Sequence, residues 1–128
     1  MKLIISGRIP SKKNSKYVVV ARGRPFFIPS PNYQAWHKEQ SWKIKKSAGL
    51  YKGDIDSITL EFYFPDNRKA DMTNKAESVM DLLVDNKIID DDAWQIVPYL
   101  TLISRGIDKV NPRVEVNISI KVNERVKI

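Results

Sequence analysis

Eight carboxylates stand between Asp66 and Asp92: Asp66, Asp71, Glu77, Asp81, Asp85, Asp90, Asp91 and Asp92. Only Arg68, Lys69, Lys75 and Lys87 offset them, so this window carries a net −4 inside a chain of net +7. Residues 1–56 have the opposite balance, 12 basic against 3 acidic residues. Carboxylates brought close together repel and raise one another's pKa unless a cation neutralises them. An oxygen-only set of this kind suits Mg²⁺ or Mn²⁺ and not zinc. Such an ion polarises a phosphodiester, generates hydroxide from bound water and steadies the leaving oxygen. The surrounding Lys and Arg side chains would hold the phosphates that the acids repel. A negative island in a positive chain is therefore what a metal-dependent enzyme acting on a polyanion needs. The plain alternative is a solvated helix followed by an acidic turn, and on composition alone a triple-Asp turn more often is solvent surface.

The rest of the chain narrows the chemistry. With no cysteine among 128 residues, disulfides, thiol catalysis and thiolate zinc sites are excluded. The same lack of cysteine suits a reducing cytoplasm. His37 is the single histidine, and Ser104 and Ser119 have no evident base, which argues against a nucleophilic triad. The apolar run after Met1 ends at Gly7, too short for a membrane span. A pI near 9.6 favours a nucleic acid or another anionic surface as partner. The length predicts one domain over residues 1–128.

These residues need elements to position them. Lys2–Ser6 reads as a strand, followed by a basic, turn-rich loop, GRIPSKKNS, at 7–15. Tyr17–Ala21 and Phe26–Ile28 read as a hairpin with Arg22-Gly23-Arg24 at its tip. Pro29-Ser30-Pro31 breaks the strand, and Ser30 or Asn32 can cap a helix running to about Ala48. On that helix Trp36 and Trp42 point to different sides, one toward the core and one outward. Ser57–Phe64 alternates, with Ile58, Leu60, Phe62 and Phe64 on one face. Residues 65–71 form a loop. Thr73–Val84 has a helical period with Ala76, Val79, Met80 and Leu83 as its apolar stripe. Asn86–Asp92 reads as a turn, Gln95–Ser104 as a strand, and Arg113–Val122 as an alternating strand. The sum is an α+β domain, a mostly antiparallel sheet with two principal helices packed on one face.

On this scaffold Asp71 ends a loop after a strand, Thr73 is the expected N-cap, and Glu77 and then Asp81 extend one polar face. If the 95–104 strand lies beside the strand ending at Phe64, the acidic turn can return toward the helix N-terminus. That would bring Asp71, Glu77 and one or both of Asp91 and Asp92 together.

At DMTNKAESVMD…IIDDDAW the sequence resembles the RusA-type Holliday junction resolvases, particularly their phage and prophage branch. Asp71, Asn74, Asp81, Leu83 and the Asp91-Asp92 pair match that family's Asp-x-Asp-Asn, Asp-x-Leu and Asp-Asp pattern. The GRIPSKKNS stretch also resembles the family's Pro-x-Ser-Lys-Asn segment, through Pro10, Ser11, Lys13 and Asn14. The resemblance spans most of the chain and implies a homodimeric α+β protein that uses Mg²⁺ to nick four-way DNA junctions in pairs. Two positions depart from the pattern: the family's second Asp is Thr73, and its lysine is Glu77. A carboxylate lost at 73 and gained at 77 keeps the acid count and moves a ligand along one helix face. Lys75 is expected on a different side, leaving Lys69, Arg68 or Lys13 to reach the phosphate.

The resulting expectation is a cytoplasmic, Mg²⁺-dependent endodeoxyribonuclease for branched DNA, with Mn²⁺ as a substitute ion and no membrane association. Asp71 and Asp92 serve as metal ligands, with Glu77 and Asp91 as additional or water-bridged ones. Asn74 orients a carboxylate or meets phosphate, and Lys12, Lys13, Asn14, Lys16, Arg22, Arg24 and Lys69 grip the DNA. Asp90 is expected to be plain surface. The competing readings are a branched-DNA-binding module impaired in catalysis, and a structural Ca²⁺ site, for which EF-hand spacing is absent.

Overall fold

The computed structural model describes residues 1–11, 16–47 and 54–121. Six strands and two helices follow in the order β1 Lys2–Ser6, β2 Lys16–Ala21, β3 Arg24–Pro29, α1 Pro31–Ser47, β4 Ile55–Phe64, α2 Met72–Asp85, β5 Leu100–Ile107 and β6 Arg113–Ile120. Four strands form one sheet in the order β1-β6-β4-β5, and β2 and β3 form a separate antiparallel hairpin. β6 runs antiparallel to both β1 and β4, whereas β5 runs parallel to β4. This is the expected α+β class with a mixed, mainly antiparallel sheet.

Register explains the core. Leu3, Val116 and Leu60 lie side by side across three strands, as do Ile5, Val114 and Phe62. All six are buried and share one face of the pleat. Onto that face α1 brings Tyr33, Trp36 and Ile44, and α2 brings Ala76, Val79, Met80, Leu82 and Leu83. Each large side chain so buried contributes about 1.5–3 kcal/mol. The predicted α2 stripe is therefore the packed one. Trp36 is 9% exposed and Trp42 61%, the expected division between inward and outward tryptophans.

The opposite sheet face carries charge. Glu115 lies between Lys2 and Arg113, Arg113 also reaches Asp108, and Arg105 pairs with Glu61.

Several strand ends shift by a few residues, and two boundaries beside the acidic window differ from the sequence reading. α2 begins one residue earlier and is capped by Asp71, not Thr73. Thr73 carries the right chemistry, but Asp71 has the extended backbone (φ −87, ψ 110) that a cap requires. The strand expected from Gln95 begins at Leu100, and residues 94–96 form a turn. The hydrophobic residues in that stretch anchor a connection: Ile88, Ile89 and Val97 are buried in the core. Residues Ala48 and Val122, at the ends of two expected elements, lie outside the described residues. Among the described residues no helix is long and apolar enough to cross a membrane.

Candidate functional site

The loop from Phe64 to Asp71 leaves β4 at its C-terminal end and delivers the chain to the start of α2. A cleft of about 180 Å³ opens there. One wall is the segment after β1, with Gly7, Arg8, Ile9 and Ser11; the other is the loop and first turns of α2, with Asp66, Arg68, Lys69, Asp71, Asn74 and Lys75. Phe62, Phe64 and Pro65 contribute an apolar floor.

Asp71 is held by the helix it starts. Its Oδ1 accepts the Thr73 backbone N–H at 3.0 Å and the Thr73 hydroxyl at 2.6 Å. A carboxylate in this position complements the positive end of the helix. Thr73 thus supports Asp71 as a donor and adds no carboxylate of its own. Asn74 lines the same cleft, as does Lys69.

Lys75 departs from expectation. Its side chain enters this cleft, half-buried, and its Nζ donates to the Ile9 carbonyl at 2.5 Å. Burial, with the charge of Arg8 added, lowers its pKa below the usual 10.5. The reason for the miss lies in packing: the segment after β1 folds across α2 and creates a cleft wall where sequence alone offers only solvent.

Glu77, Asp91 and Asp92 are exposed, and none of them lines the cleft. Asp90 is exposed as well. β5 enters the sheet beside Ile58, at the far end of β4 from Asp71, because the two strands are parallel. The 86–99 connection that carries Asp91 and Asp92 therefore leads to that far end.

Among the described residues, a group of three His, Asp or Glu ligand atoms within 4.8 Å of one another forms elsewhere, from His37, Asp81 and Asp85. This group joins α1 to α2. The Tyr33 hydroxyl donates to Asp81 at 2.8 Å, and His37 Nε2 pairs with Asp85 at 2.8 Å. Burial first, and then Asp81 and Asp85, push the Tyr33 phenol well above its usual range, so it remains a donor. These contacts clamp α1 to α2. Asp81 accordingly faces α1 and does not simply extend the solvated face of α2.

Of the expected DNA contacts, Arg22 and Arg24 flank Gly23 at the exposed hairpin tip. Arg22 has φ 53 and Gly23 φ 74, the left-handed geometry a two-residue turn needs. Lys12, Lys13 and Asn14 lie outside the described residues, and Lys16 is described only through its backbone in β2.

Two cleft residues, and one buried residue behind the cleft wall, were missed by sequence reasoning. Asp66 was counted among the acids but given no place; it accepts from Arg8 and from the Arg68 backbone N–H. These partners, Arg68 first, hold its carboxyl below the usual 3.8. Arg8 was passed over as one cation in a basic loop. Ser78 looked like a neutral helix residue, yet it is fully buried and donates to the Pro10 carbonyl at 2.6 Å.

A family model described as Endodeoxyribonuclease RusA matches residues 7–119, which includes both walls of the cleft, the whole of α2 and the acidic connection. No curated protein matches the sequence.

Proposed function

The chain belongs to the endodeoxyribonuclease RusA family, and from that premise we propose that it resolves Holliday junctions by Mg²⁺-dependent, paired nicking of phosphodiester bonds. The observation that carries this reading is Asp71, fixed at the N-terminus of α2 in a cleft that also holds Arg8, Lys69, Asn74 and Lys75. A carboxylate flanked by phosphate-binding groups is the minimum arrangement for a metal to meet a DNA strand.

The donor chemistry of Asp71, Glu77, Asp91 and Asp92 fits Mg²⁺, with Mn²⁺ as substitute, since all four offer carboxylate oxygen. Without a cation, mutual repulsion favours keeping such exposed acids apart. The ion, when bound, would activate water and stabilise the leaving oxygen. The protein's own part is to fix Asp71 through the cap, to let Asn74 and Lys69 meet phosphate, and to grip the flanking duplex with Arg22, Arg24, Lys12, Lys13, Asn14 and Lys16. Junction choice would rest on shape, since nothing in the sequence resembles a base-reading helix. Two copies related by a two-fold axis would present two sites to the two strands of a symmetric junction. Such a homodimer, built from one domain per chain, acts in the cytoplasm of a bacterial host and is of phage or prophage origin.

One observation favours a second reading. The hydroxyl of Thr73 donates to Asp71 where the family pattern has another acid. That leaves a weaker ligand set and suits a branched-DNA-binding module impaired in catalysis. A nicking assay on a synthetic four-way junction, with and without Mg²⁺, separates the two. Under the nuclease reading wild type cuts in Mg²⁺, while Asp71→Asn and Glu77→Gln bind but do not cut. Near-normal cleavage by Glu77→Gln would remove Glu77 from the ligand set. A wild type that binds the junction and cuts in neither Mg²⁺ nor Mn²⁺ establishes the binding module.

A further inference from the structure

Arg8 and the short segment carrying it have no assigned part so far, yet they form a whole wall of the cleft. The segment is tied at three points. Gly7 N–H donates to the Pro112 carbonyl at 2.8 Å as the chain leaves β1. Lys75 Nζ takes the Ile9 carbonyl at 2.5 Å, and Ser78 Oγ the Pro10 carbonyl at 2.6 Å. Lys75 and Ser78 are three residues apart on α2, so they project from one face of the helix. The Ile9 side chain between these contacts is buried in the core. Ser78 has no exposed surface, and a buried hydroxyl stripped of its acceptor is costly, so this contact is specific.

The backbone being fixed on either side of it, Arg8 has little freedom in where its side chain starts. Its guanidinium is then aimed by Asp66, which also accepts the Arg68 backbone N–H. The cleft so built carries Arg8, Arg68, Lys69 and Lys75 against the carboxylates of Asp66 and Asp71, while Arg113 at its edge is already held by Asp108 and Glu115. A cleft with this surplus of positive charge beside the capped carboxylate is suited to a phosphodiester, and the planar guanidinium fork is the group that fits phosphate oxygens best.

We propose that Arg8 is a DNA phosphate-binding residue of the Asp71 cleft, and that Lys75 and Ser78 are positioning residues that hold it there through the Gly7–Ser11 backbone. The identity of the ligand rests on the junction-nuclease reading; the coupling between the three residues does not depend on cleavage.

The test is a double-mutant cycle on four-way-junction affinity, measured in EDTA across a salt series, with nicking in Mg²⁺ measured separately. Arg8→Gln is expected to weaken binding about 10-fold and to flatten the log K against log[salt] slope by about one, as for one lost phosphate contact. Ser78→Ala, which removes no charge, is expected to weaken binding about 3-fold by itself and to add nothing in the Arg8→Gln background. Lys75→Met also removes a cleft charge, so it is compared at the high-salt end of the series, where that charge is screened; there it should likewise add little once Arg8 is gone, and it covers the case in which Ser78→Ala fails to fold. Multiplicative losses, with Ser78 or Lys75 acting independently of Arg8, overturn the positioning role. An unchanged affinity and salt slope in Arg8→Gln, or a wild type that does not bind the junction, overturns the phosphate site. A wild type that binds without nicking ends the nuclease reading and leaves the coupling to be decided by the binding data.

Discussion

At the scale of single residues, Asp71 is a helix cap and the proposed metal ligand, and the two roles can be taken apart. As N-cap it satisfies the Thr73 amide, and as a cleft carboxylate it is the first candidate for a metal ligand. Asparagine caps about as well as aspartate, whereas replacing a capping residue by alanine costs about 1 kcal/mol. Asp71→Asn should therefore unfold within a few tenths of a kcal/mol of wild type, while cleavage falls on the order of 100-fold or more, the scale of losing one electrostatic group at a reacting centre. Asp71→Ala should lose both. Urea denaturation beside the nicking assay decides it; an active Asp71→Asn would leave Asp71 as a cap and nothing more. The shared placement of Asp71, Lys69 and Asn74 was legible in the sequence, because spacing put them at a loop-to-helix junction. The contacts of Lys75 and Ser78 were not, because they are made with the segment carrying Arg8, which crosses α2 from some 66 to 68 positions away along the sequence. No local period reports such a crossing.

At the scale of elements, α2 read clearly and the connection after it did not. Its stripe of Ala76, Val79, Met80 and Leu83 has one period and one core to face. Residues 86–99 mix buried Ile88, Ile89 and Val97 with exposed Trp94 and Tyr99, a pattern that fits neither a period of two nor of 3.6. Its direction was equally hidden, because a strand's sequence does not state whether its neighbour is parallel. The parallel β5 turns β4–α2–β5 into a crossover unit, and α2 must then be fixed against α1 as well as the sheet. The contact of Tyr33 with Asp81 does this at the polar edge of that seam. Tyr33→Phe keeps the ring in the core and removes the hydroxyl, so a loss of about 1–2 kcal/mol is expected, as for a hydrogen bond to a charged acceptor. The same variant should cleave and bind junctions as wild type does once folded. If thermal denaturation shows no loss, the seam is held by apolar packing and the clamp contributes nothing.

At the scale of the whole molecule, charge is divided between the faces of one sheet. Helices and apolar side chains cover one face, and a lattice of Lys2, Glu115, Arg113, Asp108, Glu61 and Arg105 covers the other. Alternation along β4 and β6 announced that second face but not its pairing, which depends on register between strands far apart in the chain. The lattice sets how the protein responds to acid. Hydrogen bonds from Lys2 first, and then from Arg113, hold the Glu115 carboxyl below its usual 4.5, outweighing burial, which acts in the opposite direction. Asp108 is held below 3.8 by the Asn111 amide and by Arg113. A group whose folded pKa is depressed stays ionised in the native state while the unfolded chain takes up the proton. Its stabilising contribution is thus complete above the unfolded value, near 4.5 for Glu115, and is lost as pH falls through the lower folded value. Stability should hold steady from pH 7 to about 5 and then decline steeply toward pH 3. Glu115→Gln should be less stable than wild type at pH 7 and should lose less between pH 5 and pH 3, so that the two curves draw together in acid. Chemical denaturation at those three pH values measures both slopes, and parallel curves would place the acid sensitivity outside this lattice.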